Sequence, residues 1–435
     1  MRFASVLSGF ALAVTSIAAI IQSPVTFNKD VAPVLAKNCQ GCHRPGEAAP
    51  FSLLTYEQAR PWAKAMKEAV LLKKMPPWFA DPHYGKFAND RSLSQKEIDT
   101  IVAWADAGAP LGDPSIKPVQ ASFVEGWRIP QPDVILEMPQ AFEVPAEGTI
   151  EYQYIVVPTG FTEDKWVVFA EARPGNRVLV HHIIAFVREP GSKWLKDAKP
   201  GVPFVPVKKK DGDDSDSGEQ GEFLAGYAPG TVPEAMAPGQ GKLIKAGSDV
   251  VFQMHYTANR TAGTDRSKVG IVFAKEPPKE RVFMLASVND KFKIPAGDPN
   301  YQVDSSFELG TQVTLNGLFP HMHLRGKDFE YRVVYPTGET ETLLRVPAYS
   351  FSWQLSYYPI KPIVLPKGTR IECTAHFDNS PNNPNNPDAA KEVSWGDQSW
   401  DEMMIGFFSV SFDANMPVKS LFPEEKKEQK KAADD

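Results

Sequence analysis

The most chemically specific run in the chain is Cys39-Gln-Gly-Cys42-His43. Two thiols one helical turn apart can form thioethers to both vinyl groups of one haem, and the histidine that follows projects beneath the iron as an axial ligand. A thioredoxin-like redox pair would need a βαβ setting, and the flanks here read as helical. Half a zinc site would need another Cys/His pair, and only His83 lies nearby. One covalently bound haem c is therefore expected. For its second axial position the favoured ligand is Met75, in the Pro-flanked extended run Lys-Lys-Met75-Pro-Pro-Trp78. His83 is the alternative, and Met66 reads as a core residue of a helix.

Six of the eight histidines fall elsewhere, in short groups that follow strand-like runs: His181-His182, His255, His321-Met-His323 and His376. Residues i and i+2 of a strand face the same way, so His321 and His323 can grip one ion. His181 and His182 would face opposite ways on a regular strand, so the strand must end or bend there for both to bind one ion. Imidazole suits copper, zinc, iron and nickel. His376 pairs with no second histidine and reads as a structural hydrogen-bonding residue, with a supporting role near Met403 as the alternative.

These residues need elements to hold them. Val31, Val34 and Leu35 make a helical stripe over residues 30–39. Thr55-Tyr-Glu-Gln58 is a capping box that opens a helical stretch running to Lys74, with a kink expected at Pro61. Ser94-Gln-Lys-Glu97 is a second box, with Leu93 and Ile98 placed as a hydrophobic staple and Gly108 as the stop. The buried face is expected at Ile98, Ile101, Val102 and Ala105. From Ser122 onward, β-branched runs such as Tyr154–Val157, Trp166–Phe169, Val178–Val180, Val250–Phe252 and Tyr331–Val334 alternate with turns. The 39 prolines and 30 glycines suit that pattern. Arg2 and the apolar run Phe3–Ile21 read as an export signal, cleaved or retained as an anchor, which places the chain in the periplasm or otherwise outside the cytoplasm. Lys208–Glu222 reads as a charged surface loop and Pro423–Asp435 as a frayed tail. A net charge of −6 gives no footprint for nucleic acid. Three cysteines exclude a disulfide scaffold.

Two resemblances cover most of the chain. Residues 25–112 are similar to the small class I cytochrome c fold: haem motif after the first helix, ligand methionine on a loop, closing helix at the end. Residues 130–415 resemble the two-copper, ascorbate-dependent monooxygenases, the peptidylglycine α-hydroxylating and dopamine β-hydroxylating family. The motifs stand in family order: His181-His182, Gln253-Met-His255-Tyr256, His321-Met-His323 and Asp401-Glu-Met403, with Ala228-Pro-Gly and Leu324-Arg-Gly as matching flanks. The resemblance implies one copper held by His181, His182 and His255 for electron transfer. It implies a second copper held by His321, His323 and Met403, where O2 is used. Met404 is the competing thioether. The implied fold is an all-α cytochrome c domain followed by two antiparallel, jelly-roll-like β-sandwich copper domains. The expected boundaries are 1–23 signal, 24–115 cytochrome c domain, 116–130 linker, 131–285 and 286–422 copper domains, and 423–435 tail.

The departures from the family carry information. With Cys39 and Cys42 committed, Cys373 is left alone, so none of the disulfides that lace the animal enzymes can form within this chain. The amidating members hold a substrate carboxylate with an arginine two residues before the His-x-His, where this chain has Phe319. They carry Asn and Tyr two and four residues after the ligand methionine, where it has Ile405 and Phe407. Glycine-extended peptides are thus not expected as substrates; a small apolar molecule without a carboxylate is. The expected activity is copper-dependent C–H hydroxylation with O2, electrons entering from an external donor through the haem. The alternatives are a non-catalytic electron-transfer or copper-binding haemoprotein of the envelope, and a haem-centred sensor with an open iron position.

Overall fold

The computed structural model describes residues 24–47, 49–123, 126–206, 221–229, 231–234 and 236–424. The expected signal segment, nearly all of the 208–222 loop and most of the 423–435 tail lie outside the described residues.

Capping chemistry sets the N-terminal helices. A single π-helical turn, Phe27–Val31, leads into helix Ala32–Asn38. Thr55 and Gln58 form a reciprocal box that starts Tyr56–Ala59. A 3₁₀ turn at Arg60–Trp62 interrupts the helix at Pro61, where a backbone donor is missing, before Ala63–Leu71 resumes. Ser94 and Glu97 cap Gln95–Asp106, and Gly108 at φ +81° follows it. Ile101 and Trp104 are the fully buried pair of this helix, whereas Ile98, Val102 and Ala105 are only partly covered.

The expected all-α cytochrome c domain is corrected by this structure. Among the described residues helix makes up 12% and strand 35%. The longest helix among the described residues has 12 residues, and irregular chain separates it from the others. Nor is the segment closed on itself. Trp78, Phe79, Ala80 and Phe87 leave the small helical core and pack into the C-terminal β core. Phe87 bridges to Pro359, and the Ala88 and Ile360 amides bond to Tyr358 and Lys86 carbonyls. Prolines at 61, 76, 77 and 82 shorten the helices, and the apolar side chains of the long connection find their burial on the sheets.

The β body is organised by one eight-stranded sheet. Its order is Val134–Glu137, Lys268–Phe273, Lys165–Arg173, Gln240–Ile244, Glu280–Asn289, Met404–Asp413, Val313–His321, Ile363–Leu365. The first half packs on a four-stranded sheet, Gln153–Pro158, Asp249–Tyr256, Val180–Arg188, Glu222–Tyr227, over a core that includes Ile155, Val167, Ile183, Phe252 and Ile271. The second half packs on Tyr301–Glu308, Arg370–Phe377, Gly326–Val334, Thr340–Val346, over Leu315, Phe329, Tyr331, Phe377 and Phe408. Two sandwich-like layers are thus joined by a shared sheet rather than by a linker. The join is one short parallel contact, Glu280 and Arg281 beside Gln240 and Gly241. Among the described residues no helix is long and apolar enough to cross a membrane.

Candidate functional site

Strand alternation decides which side chains leave the cores. In the first four-stranded sheet Ile183 and Phe252 point into the sandwich, so His182, Gln253 and His255 point out of it. In the shared sheet Leu318, Met404 and Phe408 point in, so Phe319, His321, Met403, Ile405 and Phe407 point out. The two outward faces enclose a cavity of about 1100 Å³, lined by His182, His321, His323, Met403, Phe319 and Phe407 among others.

His182 and His255 are cross-strand partners. A register shift between Val180 and His182 bends the strand, and it lets His181 turn towards the same point. His181 and His182 begin the strand Val180–Arg188; they do not end the run before it. The ligand nitrogens of His181, His182 and His255 lie within 4.8 Å of one another. His182 Nδ1 stands 3.1 Å from His181 Nδ1 and 3.4 Å from His255 Nδ1. A single nitrogen cannot satisfy both neighbours by donating one proton. One ion about 2 Å from each nitrogen would satisfy all three, because its ligands then stand roughly 3–4 Å apart. Burial holds His255 down to about 3, keeps His182 well below its ordinary value and lowers His181, so all three rings are neutral near pH 7 and free to offer lone pairs. Tyr152 packs on the His182 and His255 rings.

His321 is the last residue of its strand and His323 lies just beyond it. Their ring centroids are 5.3 Å apart, with the planes at 90°. Gln354 Oε1 accepts from His321 Nδ1 at 2.9 Å, and the Asp401 carbonyl accepts from His323 Nδ1 at 3.2 Å. Both δ-nitrogens therefore carry protons, and both ε-nitrogens carry lone pairs. His323 Nε2 is buried with no hydrogen-bond partner. Burial lowers these rings to about 4 and about 3. Met403 lines the same cavity, while its neighbour Met404 is fully buried in the core. Two imidazole ε-nitrogens and a thioether fit a soft monovalent ion such as Cu(I).

Glu402 ties this set together. Its carboxylate accepts from the backbone amides of His323 at 2.9 Å and Arg325 at 2.6 Å. Burial pushes its carboxyl up to about 8 against the pull of those two donors. Arg325 is itself buried and donates to Asn379 and to the Trp400 carbonyl. Phe351 stands between the two histidine sets, stacked on His181 at 5.5 Å and edge-on to His323 at 5.8 Å. Sequence reasoning missed Phe351 and Gln354, which lie in an irregular stretch without periodic signal. Glu402 lies inside the Asp401-Glu-Met403 run, where its spacing from the ligands signals no role.

At the N-terminal motif, Cys42 and His43 amides bond back to the Cys39 carbonyl, which winds both cysteines and the histidine into one turn. His43 Nδ1 donates to the Phe51 carbonyl at 3.3 Å, so Nε2 keeps its lone pair for a ligand. Burial pushes the Cys39 thiol up to about 12, with lesser contributions from Cys42 and Glu97. All three cysteines are free thiols. These residues fit thioether attachment and axial ligation of a haem. Met75 is half-buried, three residues before Trp78, which packs against Tyr357. His83 is bound to Asp81 at 2.7 Å with its side chain 84% exposed, unlike an axial ligand. Met66 is buried in the helical core. His376 bonds to Asp328 at 2.7 Å and ties two strands of the outer sheet.

No family model matches the chain, and no curated protein shows significant similarity to it. Solved structures similar over long stretches include the VP2 subviral particle of infectious bursal disease virus, at 9% identity, covering 67% of this chain and 74% of that one, with a TM-score of 0.19. Allantoicase from Saccharomyces cerevisiae is similar at 8% identity over 62% of this chain and 80% of its own, with a TM-score of 0.18. Backbone agreement at this level defines no common fold, so the site stands on its own geometry.

Proposed function

We propose that the chain is an exported, copper-dependent monooxygenase that hydroxylates a C–H bond of a small apolar substrate with O2. Electrons would come from an external donor through a haem held by Cys39, Cys42 and His43, with Met75 as the second axial ligand. The observation that carries the reading is the pair of histidine sets on one cavity, with His323 Nε2 buried and unpartnered at its wall. Copper at His181/His182/His255 and at His321/His323/Met403 would supply one-electron transfer at the first set and oxygen activation at the second.

The chain's own residues do the rest. Gln354 and the Asp401 carbonyl hold the ring protons at Nδ1, keeping both ε-nitrogens available. Phe319 and Phe407 stack at 5.9 Å beside His321 and present an apolar wall to the substrate. Ile405 extends that wall, and no carboxylate-binding arginine stands at position 319. The cavity has room for an organic substrate. Export agrees with haem attachment outside the cytoplasm and with Arg2 preceding an apolar leader.

The test is copper per haem on protein matured in an export-competent host, together with His182→Ala and Met403→Ala. Two coppers per haem, falling towards one in each variant, and O2 uptake stimulated by apolar substrates are expected. Copper that is absent, or indifferent to those residues, would overturn the reading in favour of a non-catalytic electron-transfer protein.

A further inference from the structure

The cavity floor runs on well past the histidines. Along strand Met404–Asp413 the outward side chains are Ile405, Phe407 and Ser409, and their cross-strand partners on Val313–His321 are His321, Phe319 and Gly317. The floor therefore begins at His321, crosses two stacked phenyl rings and ends at a hydroxyl. Ile405 and Ser409 are four residues apart, about 13 Å at the ordinary strand rise. At the far end Gly317 lies under the Tyr358 ring, which would stand 3.0 Å from an added Cβ. Ser409 leads to a charge. Its Oγ donates to Glu234 Oε1 at 2.6 Å, and Lys242 Nζ donates to Glu234 Oε2 at 3.0 Å. The Lys242 side chain is 3% exposed and is held behind the wall by the Leu224 carbonyl and the Phe223 ring. Glu234 is 14% exposed and lines the cavity. A carboxylate offers about four lone-pair sites, and Glu234 uses two of them among the described residues. Lys242 already balances its charge. A cation arriving here would be left uncompensated, whereas a neutral O–H donor would not.

We propose that Glu234 anchors a hydroxyl group of the ligand, so that the cavity takes an elongated apolar alcohol. Its hydroxyl donates to Glu234, and its hydrocarbon part lies over Phe407 and Phe319 towards His321 and Met403. The apolar rung between the two ends offers no hydrogen-bonding group, which leaves the hydroxyl one place to pair on this floor. That the His321/Met403 end is the reacting end rests on the monooxygenase reading above; the anchor at Glu234 does not. On that reading oxidation falls at the part of the molecule remote from its hydroxyl.

The test is calorimetric titration of the full-length protein, as matured and without reductant, with octanol, octyl methyl ether and octylammonium. The ether keeps the oxygen and removes the donor. Octanol should bind about tenfold or more tighter than the ether, as expected for a hydrogen bond to a charged group, and octylammonium no tighter than octanol. Glu234→Gln should remove most of that preference while leaving the ether affinity near the wild-type value. The double variant Glu234→Gln/Lys242→Met removes both charges together, so that no buried ammonium stands alone, and should do the same; it decides the matter where the single variant fails to fold. A cavity that merely loosens would weaken alcohol and ether alike. No binding, equal affinity for alcohol and ether in the wild type, a preference that survives both substitutions, alcohol and ether weakened alike, or tighter binding of the ammonium would overturn the proposal. The assay uses neither O2 nor an electron donor. A negative result therefore leaves the monooxygenase reading to its own copper test, and failure of that copper test leaves the alcohol site standing.

Discussion

Replacing Gln354 with leucine removes the acceptor of the His321 Nδ1 proton, together with a longer donation from the Gln354 Nε2 to the Phe351 carbonyl at 3.4 Å. Gln354 is buried and touches the site through Oε1, which takes the Nδ1 proton of His321 at 2.9 Å. Leucine keeps the volume and removes the acceptor. His321 is then left with a buried, unpaired N–H, at a cost of about 1–3 kcal/mol, and its tautomer is no longer fixed. At 1.4 kcal/mol per tenfold this is roughly 5- to 150-fold in an equilibrium constant, in line with the 10- to 100-fold typical of residues that orient a metal-bound histidine. We expect copper affinity at His321/His323/Met403 to fall about 10- to 100-fold. The His181/His182/His255 set should weaken far less, because its ring nitrogens bond to one another and Gln354 reaches it only through the Phe351 backbone. Gln354→Glu should retain or strengthen binding, since a carboxylate accepts the same proton. Competitive Cu(I) titration against a chromophoric chelator resolves the two sets, and urea unfolding of the metal-free protein gives the stability cost separately. Equal weakening of both sets, or no weakening of either, would refute the assignment of the His321 Nδ1 proton to Gln354.

Other expectations follow from neighbouring contacts. Met403→Leu should lower copper binding at the second set with a stability change under about 1.5 kcal/mol, whereas Met404→Ala should cost about 2–5 kcal/mol and keep copper; calorimetry and metal analysis on the pair would expose a reversed assignment. Gly406 lies against Cys373, so that an added Cβ would clash with its sulfur. Gly406→Ala should therefore destabilise by about 1–3 kcal/mol, and Cys373→Ala should relieve part of that in a double-mutant cycle; additive effects would contradict the packing described. At Glu97, burial raises the carboxyl pKa, but hydrogen bonds from Lys37, the Ser94 amide and hydroxyl, and Asn38 outweigh it and hold it down at about 2. Its folded value is depressed below the ordinary 4.5, so its contribution is full above about 4.5 and is lost as pH falls towards 2. Glu97→Gln should flatten the wild-type stability loss across that window in urea titrations followed by circular dichroism.

What could be read from the residues alone was local. Ser94/Glu97 and Thr55/Gln58 formed their capping boxes because both partners lie within four residues of each other. Strand parity separates Met403 from Met404 because alternation is independent of which strand lies next door. The helical domain failed for the opposite reason. Trp78 and Phe87 bury their rings on a sheet more than 200 residues further along the chain, and no periodicity within residues 24–115 reports that destination.

The join between the two sandwiches was illegible in the same way. It depends on a parallel contact between Gln240–Gly241 and Glu280–Arg281, strands whose own patterns would fit equally well at an edge. That join sets the distance between the two histidine sets. It places the outward face carrying His182 and His255 opposite the one carrying His321 and Met403, with room for the single ring of Phe351 between His181 and His323. The ligands could be found from their spacing, but the gap between them is a property of the shared sheet. A change at Gln240 or Arg281 should therefore alter communication between the sets while leaving each set's own nitrogens in place.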